Sequence, residues 1–130
     1  MPERSKDWIK QAQRDLDSAR AQYKDNFFEW ACFIAQQAAE KAVKAVYQKL
    51  GAEAWGHSVM DLLKGIREKT EVSDELIDRG KQLDRFYIPA RYPNGWVSGT
   101  PGEYITKKDA EDAIDNSEKI IQFCSGLLAE

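Results

Sequence analysis

Apolar residues recur along this chain at the three-and-four spacing of helix faces, and no segment shows the alternation of a half-buried strand. Trp8, Ile9, Ala12, Leu16, Ala19 and Tyr23 mark one face of a first helix, with Ser5 placed to cap it. Asp25 or Asn26 is expected to open a second helix, and Gly51 to close it as a left-handed terminator. That helix carries a wide stripe of Phe27, Ala31, Ile34, Ala35, Ala38, Ala42, Ala45 and Val46, and so many alanines on one face predict close approach of a neighbour. Ser58 with Asp61 marks the start of a third helix bearing Met60, Leu62, Leu63 and Ile66. Ser73 begins a fourth, with Leu76, Ile77, Gly80, Leu83 and Phe86 inward. Thr106 with Asp109 starts the last, whose face runs from Ala110 through Ala113, Ile114, Ser117, Ile120, Ile121 and Cys124 to Leu128. The pattern predicts an all-α, up-and-down bundle of about five helices.

One long stretch breaks the pattern. From Leu83-Asp84-Arg85-Phe86-Tyr87-Ile88-Pro89-Ala90-Arg91-Tyr92-Pro93-Asn94 to Tyr104 the chain is rich in Pro, Gly and aromatic residues. Pro89 and Pro93 each remove a backbone donor and push the preceding residue toward extended geometry. Disordered segments are poor in aromatics, yet this one holds Phe86, Tyr87, Tyr92, Trp96 and Tyr104 beside Arg85 and Arg91. Two readings fit it. The rings and arginines form a binding surface, or they fold back and close one end of the core.

At 130 residues the chain suits one domain spanning 1–130, large enough to bury a core without staples. Its net charge of −3 argues against broad, sequence-independent capture of nucleic acid, though not against a local basic site. No apolar run is long enough to span a bilayer, and the N-terminal stretch has no secretory apolar region, so no membrane association is expected. Cys32 and Cys124 sit among apolar neighbours without metal-ligand spacing, which fits a reducing, cytoplasmic setting. The acids Asp109, Glu111, Asp112, Asp115 and Glu118 fall mostly in the first turns of the last helix, where they oppose its dipole; no metal site is read there, and no cofactor is expected. There is no phosphate-binding Gly loop and no nucleophile elbow. Gln36, Gln37, Glu40, Lys41 and Lys44 flank the alanine stripe and read as a solvated face with Glu40–Lys44 pairing, or, for Gln37, Lys41 and Lys44, as groups aimed at the loop or a dimer partner.

Three of these stretches together resemble the HEPN domain family. Trp30-Ala31-Cys32-Phe33-Ile34-Ala35-Gln36-Gln37-Ala38-Ala39-Glu40-Lys41-Ala42-Val43-Lys44-Ala45 is similar to its second helix. Gly56-His57-Ser58-Val59-Met60-Asp61-Leu62-Leu63 is similar to its third-helix start, and Leu83 to Pro93 resembles the motif that follows its fourth. The resemblance covers nearly the whole chain. It implies a small helical bundle, often a homodimer, in prokaryotes frequently encoded beside a minimal nucleotidyltransferase as a toxin–antitoxin pair. Many members are metal-independent ribonucleases, and a few bind nucleotides.

The ribonuclease members carry Arg, four to six residues, then His, often followed by one residue and Tyr. Here Arg85 is followed after four residues by Ala90, then Arg91 and Tyr92. If Arg91 is the family arginine instead, no imidazole follows it either. Cleavage through the ribose 2'-OH needs a proton acceptor, which histidine supplies near neutral pH, and a cation for the phosphorane, which arginine supplies. Candidate catalytic groups are therefore Arg91, Arg85 and His57, the only histidine. At the helix start His57 is either an acceptor held neutral by the dipole or a residue that only packs there. Candidate nucleotide or RNA binders are Arg85, Tyr87, Arg91 and Tyr92, by guanidinium–phosphate contacts and base stacking. Related transferases adenylylate a tyrosine beside the arginine motif, which makes Tyr92 the candidate acceptor. The expected function is the toxin-type or accessory partner of such a transferase; the alternatives are a weak metal-independent ribonuclease with an unorthodox base and a non-catalytic nucleotide-binding module.

Overall fold

A computed structural model describes residues 2–130. It is all-helical, with no strand among the described residues. The helices are α1 (Ser5–Lys24), α2 (Phe28–Leu50), α3 (Val59–Ile66), α4 (Asp74–Asp84), α5 (Pro101–Tyr104) and α6 (Lys107–Leu128). A single 3-10 turn, Pro93–Gly95, lies in the segment between α4 and α5. α5, one turn led by Pro101, is the element the sequence pattern left inside the loop; proline at the first helical position is pre-organised for such a turn.

α2 is the central helix and touches all five others, most extensively α1 and α6. Ala31, Cys32, Ala35, Ala38, Ala39, Ala42, Val43, Ala45 and Val46 are all buried, so burial runs around much of its circumference. Small side chains let α1 and α6 approach closely, the first through Ala12, Leu16 and Ala19, the second through Ala110, Ala113, Ile120 and Cys124. The close neighbours that the alanine stripe predicts are therefore α1 and α6 of the same chain. α3 and α4 form a hairpin that closes the core with Leu62, Leu63, Ile66, Leu76, Ile77 and Leu83. Gly80 makes that hairpin tight: a β-carbon there would stand 3.1 Å from the Met60 backbone nitrogen and 3.1 Å from Val59 Cγ1. Both thiols are fully buried, and loss of hydration pushes Cys32 up to about 12 and raises Cys124 as well.

The expected caps divide into two groups. Gly51 ends α2 at φ 68°, and Thr106 with Asp109 forms a complete capping box on α6. Ser58 and Ser73 cap α3 and α4, accepting from the Asp61 and Leu76 amides. Ser5, by contrast, is the first residue inside α1, and its own amide donates to the Glu3 carboxylate. Neither Asp25 nor Asn26 caps α2, whose preceding residue is Phe27 with no side-chain cap. Asn26 instead takes a left-handed φ of 67°, which turns the chain directly out of α1. α4 ends at Asp84, so Phe86 packs against the core from beyond the helix.

Candidate functional site

Asp84, the last residue of α4, joins the two halves of the site. Its carboxylate accepts from Ser58 Oγ (2.7 Å), from the Val59 amide (2.8 Å) and from the Met60 amide (3.1 Å), so it caps α3 from across the hairpin. Beyond it the chain unwinds in i→i+3 steps, with the Phe86 amide donating to Leu83 and the Tyr87 amide to Asp84. One carboxylate therefore holds the residue that follows His57 and stands three positions before Tyr87.

Those two rings meet. His57 stacks on Tyr87 with centroids 4.8 Å apart and planes 17° from parallel. Arg91 lies over the same Tyr87 ring at 4.8 Å, over Phe33 of α2 at 4.4 Å and over Tyr92 at 5.0 Å. Its Nε–H donates to the Tyr87 carbonyl at 2.8 Å. Among the described residues no carboxylate lies within ion-pair distance of Arg91. The guanidinium is held by rings and one carbonyl, and among the described residues its two terminal nitrogens have no protein acceptor.

Beneath the stack is a polar stripe on α2. Glu40 is buried, and its Oε2 accepts from Lys44 Nζ at 3.0 Å and lies 3.2 Å from His57 Nδ1. Gln36, wholly buried, donates to the His57 carbonyl at 2.9 Å and lies 3.4 Å from Glu40 Oε1, and Gln37 donates to Gln36 Oε1 at 2.8 Å. The Glu40–Lys44 pairing read from the sequence is present, but on a buried stripe rather than a solvated face. Lys41 turns the other way, to Asp15 of α1. Because a carboxylate only accepts, the Nδ1–Glu40 contact places a proton on Nδ1, and in the neutral tautomer the lone pair is then on Nε2. The His57 side chain is 57% exposed, so its ring is open to solvent.

The remaining candidates separate from this cluster. Arg85 is exposed at the end of α4, and its ring contact is with Phe86, at 5.9 Å. Ala90 is 1% exposed, so position 90 faces the core and has no room to present an imidazole to a ligand. Tyr92 is 49% exposed at the edge of the Arg91 group. The rest of the loop folds back: Trp96 Nε1 donates to the Pro89 carbonyl at 2.8 Å and its ring stacks on Tyr104 at 4.7 Å. The fold-back reading therefore holds for the part that carries Trp96 and Tyr104, while Tyr87, Arg91 and Tyr92 gather into a separate cluster of rings and guanidinium. The site contributors missed in the sequence are Phe33 as a platform and Glu40 as the partner of His57. The signal for Glu40 was present as Gln36, Glu40 and Lys44, polar residues at successive i,i+4 steps in an otherwise alanine-rich helix.

The acids of α6 each have a separate task. Asp109 completes the cap, while Asp112 pairs with Lys108, Asp115 with Arg79 and Glu118 with Arg20, and Glu111 accepts from the Tyr23 hydroxyl. No helix among the described residues is long and apolar enough to cross a membrane.

The sequence profile of the HEPN domain matches residues 5–127. The crystal structure of TT1696 from Thermus thermophilus superposes with a TM-score of 0.94 at 39% identity, covering 97% of this chain and 99% of that one. ST0689, an archaeal HEPN homologue, gives 0.81 at 40% identity over 97% and 98% of the two chains. The HEPN domain protein tm0613 from Thermotoga maritima gives 0.78 at 38% over 95% and 98%. A protein of Methanocaldococcus jannaschii named "Putative toxin MJ1304" is 28% identical over 132 residues, which covers 95% of this chain and 87% of that protein. The chain belongs to the HEPN domain family.

Proposed function

We propose that this chain is the toxin-type partner in a two-component system with a minimal nucleotidyltransferase, and that its working surface is an anion site built on Arg91. The observation that carries the site is the state of Arg91, seated on three rings with no carboxylate partner. An arginine whose face is packed and whose terminal donors are open clasps two phosphate oxygens at low entropic cost. The exposed Tyr92 ring beside it is suited to stack on a base. The toxin assignment draws on the name of the M. jannaschii relative and on the family.

In this reading single-stranded RNA is the anionic ligand, Arg91, Tyr87 and Tyr92 bind it, and Arg85 stands outside the site. Tyr92 is the acceptor when the partner transferase adenylylates the chain, and the chain works as a homodimer. Exposed Trp30, Ile88 and Tyr92 supply apolar area near Arg91 for a protein neighbour. The direct test is fluorescence anisotropy with a short single-stranded RNA. Arg91→Ala should weaken binding about tenfold or more, as loss of one bidentate, charge-assisted contact worth about 1.5–3 kcal/mol requires. Equal affinity of wild type and Arg91→Ala would overturn the site. Mass spectrometry after incubation with the transferase and ATP tests Tyr92, and sedimentation showing only monomer at micromolar concentration would overturn the dimer.

A further inference from the structure

We infer that a second pocket, walled by Trp8, Tyr47 and Trp55 with Glu53 at its mouth, receives an arginine side chain of a protein partner. The pocket has a volume of about 340 Å³ and lies between the first turn of α1, the last turns of α2 and the link from α2 to α3. Each wall is held in place. Gln48 accepts from the Arg4 amide at 3.2 Å, which fixes the start of α1, and with it Trp8, against the end of α2. The Tyr47 hydroxyl donates to the Leu62 carbonyl at 2.7 Å, and a β-carbon at Gly65 would collide with that hydroxyl, so the glycine leaves the ring its seat. The link leaves α2 through Gly51 at φ 68° and turns again through Gly56 at φ 80°. Between them Ala54 packs against the core, and just beyond, the His57 carbonyl accepts from buried Gln36 at 2.9 Å. Trp55 is therefore pinned on both sides, and it is still 78% exposed.

A tryptophan fixed in the open forgoes its hydrophobic stabilisation until something covers it. Charge says what the cover is. Lys44, which also lines the pocket, is 17% exposed and held by Glu40 at 3.0 Å. Arg4, which shares the neighbouring hollow with Trp8, is held by Asp7 at 2.9 Å. Glu53 is exposed and has no ion-pair partner among the described residues. Burial, and after it the Glu68 carboxylate, raise the Tyr47 hydroxyl, so that ring stays neutral. With the neighbouring cations already paired, the pocket offers three aromatic rings and one free carboxylate. An anionic ligand would meet Glu53 as a like charge, and a purely apolar one would strip water from it with no hydrogen bond in return. A cation answers both features, by attraction to the ring faces and by pairing with the carboxylate. Guanidinium suits them best, because it is planar and weakly hydrated and stacks on rings while its fork donates to a carboxylate. Arginine, tyrosine and tryptophan are also the side chains that anchor protein interfaces. Two residues further along the same link, His57 joins the Arg91 stack, so this pocket is a second surface beside that site and does not depend on RNA there.

The test uses three blocked peptides, with one arginine between glycines, with lysine in its place, and with citrulline, the neutral isostere of arginine. Indole N–H signals in the NMR spectrum separate the four tryptophans. The arginine peptide should shift the Trp8 and Trp55 signals saturably, with a dissociation constant of about 1–10 mM for a single side chain, and leave Trp30 and Trp96 in place. The lysine peptide should bind more weakly, and the citrulline peptide should shift nothing. Trp55→Ala, read at Trp8, should weaken binding about threefold to tenfold, and Glu53→Gln about twofold to fivefold. Both residues are exposed, so both variants should melt as wild type does and leave RNA anisotropy at the Arg91 site unchanged. Equal shifts from the citrulline peptide, no saturable shift at Trp55 from the arginine peptide, or unchanged binding in both variants overturns the inference. So does a preference for adenosine monophosphate at Trp8 and Trp55, which would make the pocket a base-stacking site.

Discussion

Asp84→Ala should be the most damaging single change in the loop-bearing half of the molecule. The carboxylate accepts three hydrogen bonds, at 2.7, 2.8 and 3.1 Å, two of them from backbone amides in the first turn of α3. Hydrogen bonds to charged groups contribute about 1.5–3 kcal/mol each, and loss of a helix cap costs about 0.5–2 kcal/mol. These contributions are not additive here, because Ser58 still caps Asp61 and water can reach the half-buried site. A loss of about 2–4 kcal/mol is expected, out of an ordinary total of about 5–15 kcal/mol. At about 3–4 °C per kcal/mol for a chain of this size, the melting temperature should fall by about 6–16 °C. Asp84→Asn keeps one acceptor and should lose about half as much.

The decisive readout is local. In Asp84→Asn, amide exchange at Val59 and Met60 should accelerate relative to Leu76, whose cap is Ser73 and does not involve Asp84. The His57 ring protons, shifted by the Tyr87 ring current, should move toward free-imidazole positions as the stack loosens. A melting change under about 2 °C in Asp84→Ala, or unchanged protection at Val59, would refute the view that this carboxylate ties α3 to α4.

Three further outcomes follow from the packing. Gly80→Ala gains about 1 kcal/mol of helix propensity, but its new methyl must displace the Met60 backbone and Leu63, at 3.1 and 3.2 Å; urea unfolding should show a net loss of about 1–2 kcal/mol, and a gain would show that the α3–α4 hairpin is slack. The stability contributed by the two buried thiols is fully present below their unfolded value of 9.0 and is lost as pH rises toward about 12 for Cys32. At pH 10 the cost should reach about 1–3 kcal/mol for the pair, and a Cys32→Ala/Cys124→Ala variant should show a flatter alkaline profile. Arg91→Ala should cost only about 1–2 kcal/mol by chemical denaturation, the loss of ring contacts and one carbonyl hydrogen bond; a loss of about 3–5 kcal/mol would reveal a buried ionic partner.

The bundle was legible because each helix writes its own boundary and face in local residues. Gly51, Ser58, Ser73 and the Thr106–Asp109 box each act within one turn, and they sit where the pattern put them. Errors arose where several polar residues compete for one boundary. Lys24-Asp25-Asn26 offers several turn and cap residues in a row, and only the left-handed φ at Asn26 decides which one turns the chain. The alanine stripe marks a close-approach face, but a stripe does not say whether the neighbour is α1, α6 or another molecule. At the site, spacing favoured Arg85 with Ala90, and burial then separated the two. Glu40 and His57 are seventeen positions apart, and their contact depends on how the link from Gly51 to His57 folds, which no local rule specifies.

The polar stripe on α2 departs from what stability alone would select. A bundle selected for stability alone would fill positions 36 and 40 with apolar side chains, since burying a carboxylate costs several kcal/mol unless it is paired. Here Gln36 and Glu40 are both buried, and Lys44, Gln37 and the His57 carbonyl are engaged to satisfy them. The arrangement leaves one carboxylate oxygen facing Nδ1 of an exposed histidine. Local departures from the helix pattern with such full compensation are expected at functional sites rather than in the core. Gln36→Leu with Glu40→Leu should therefore separate the two demands. By thermal melting the pair should be neutral or stabilising, because a buried ionic group replaced by packed apolar volume gains about 1–4 kcal/mol. His57 would lose its partner, and the stack on Tyr87 should loosen without loss of the Arg91-dependent RNA binding proposed above. A double variant that unfolds would mean that the stripe is structural.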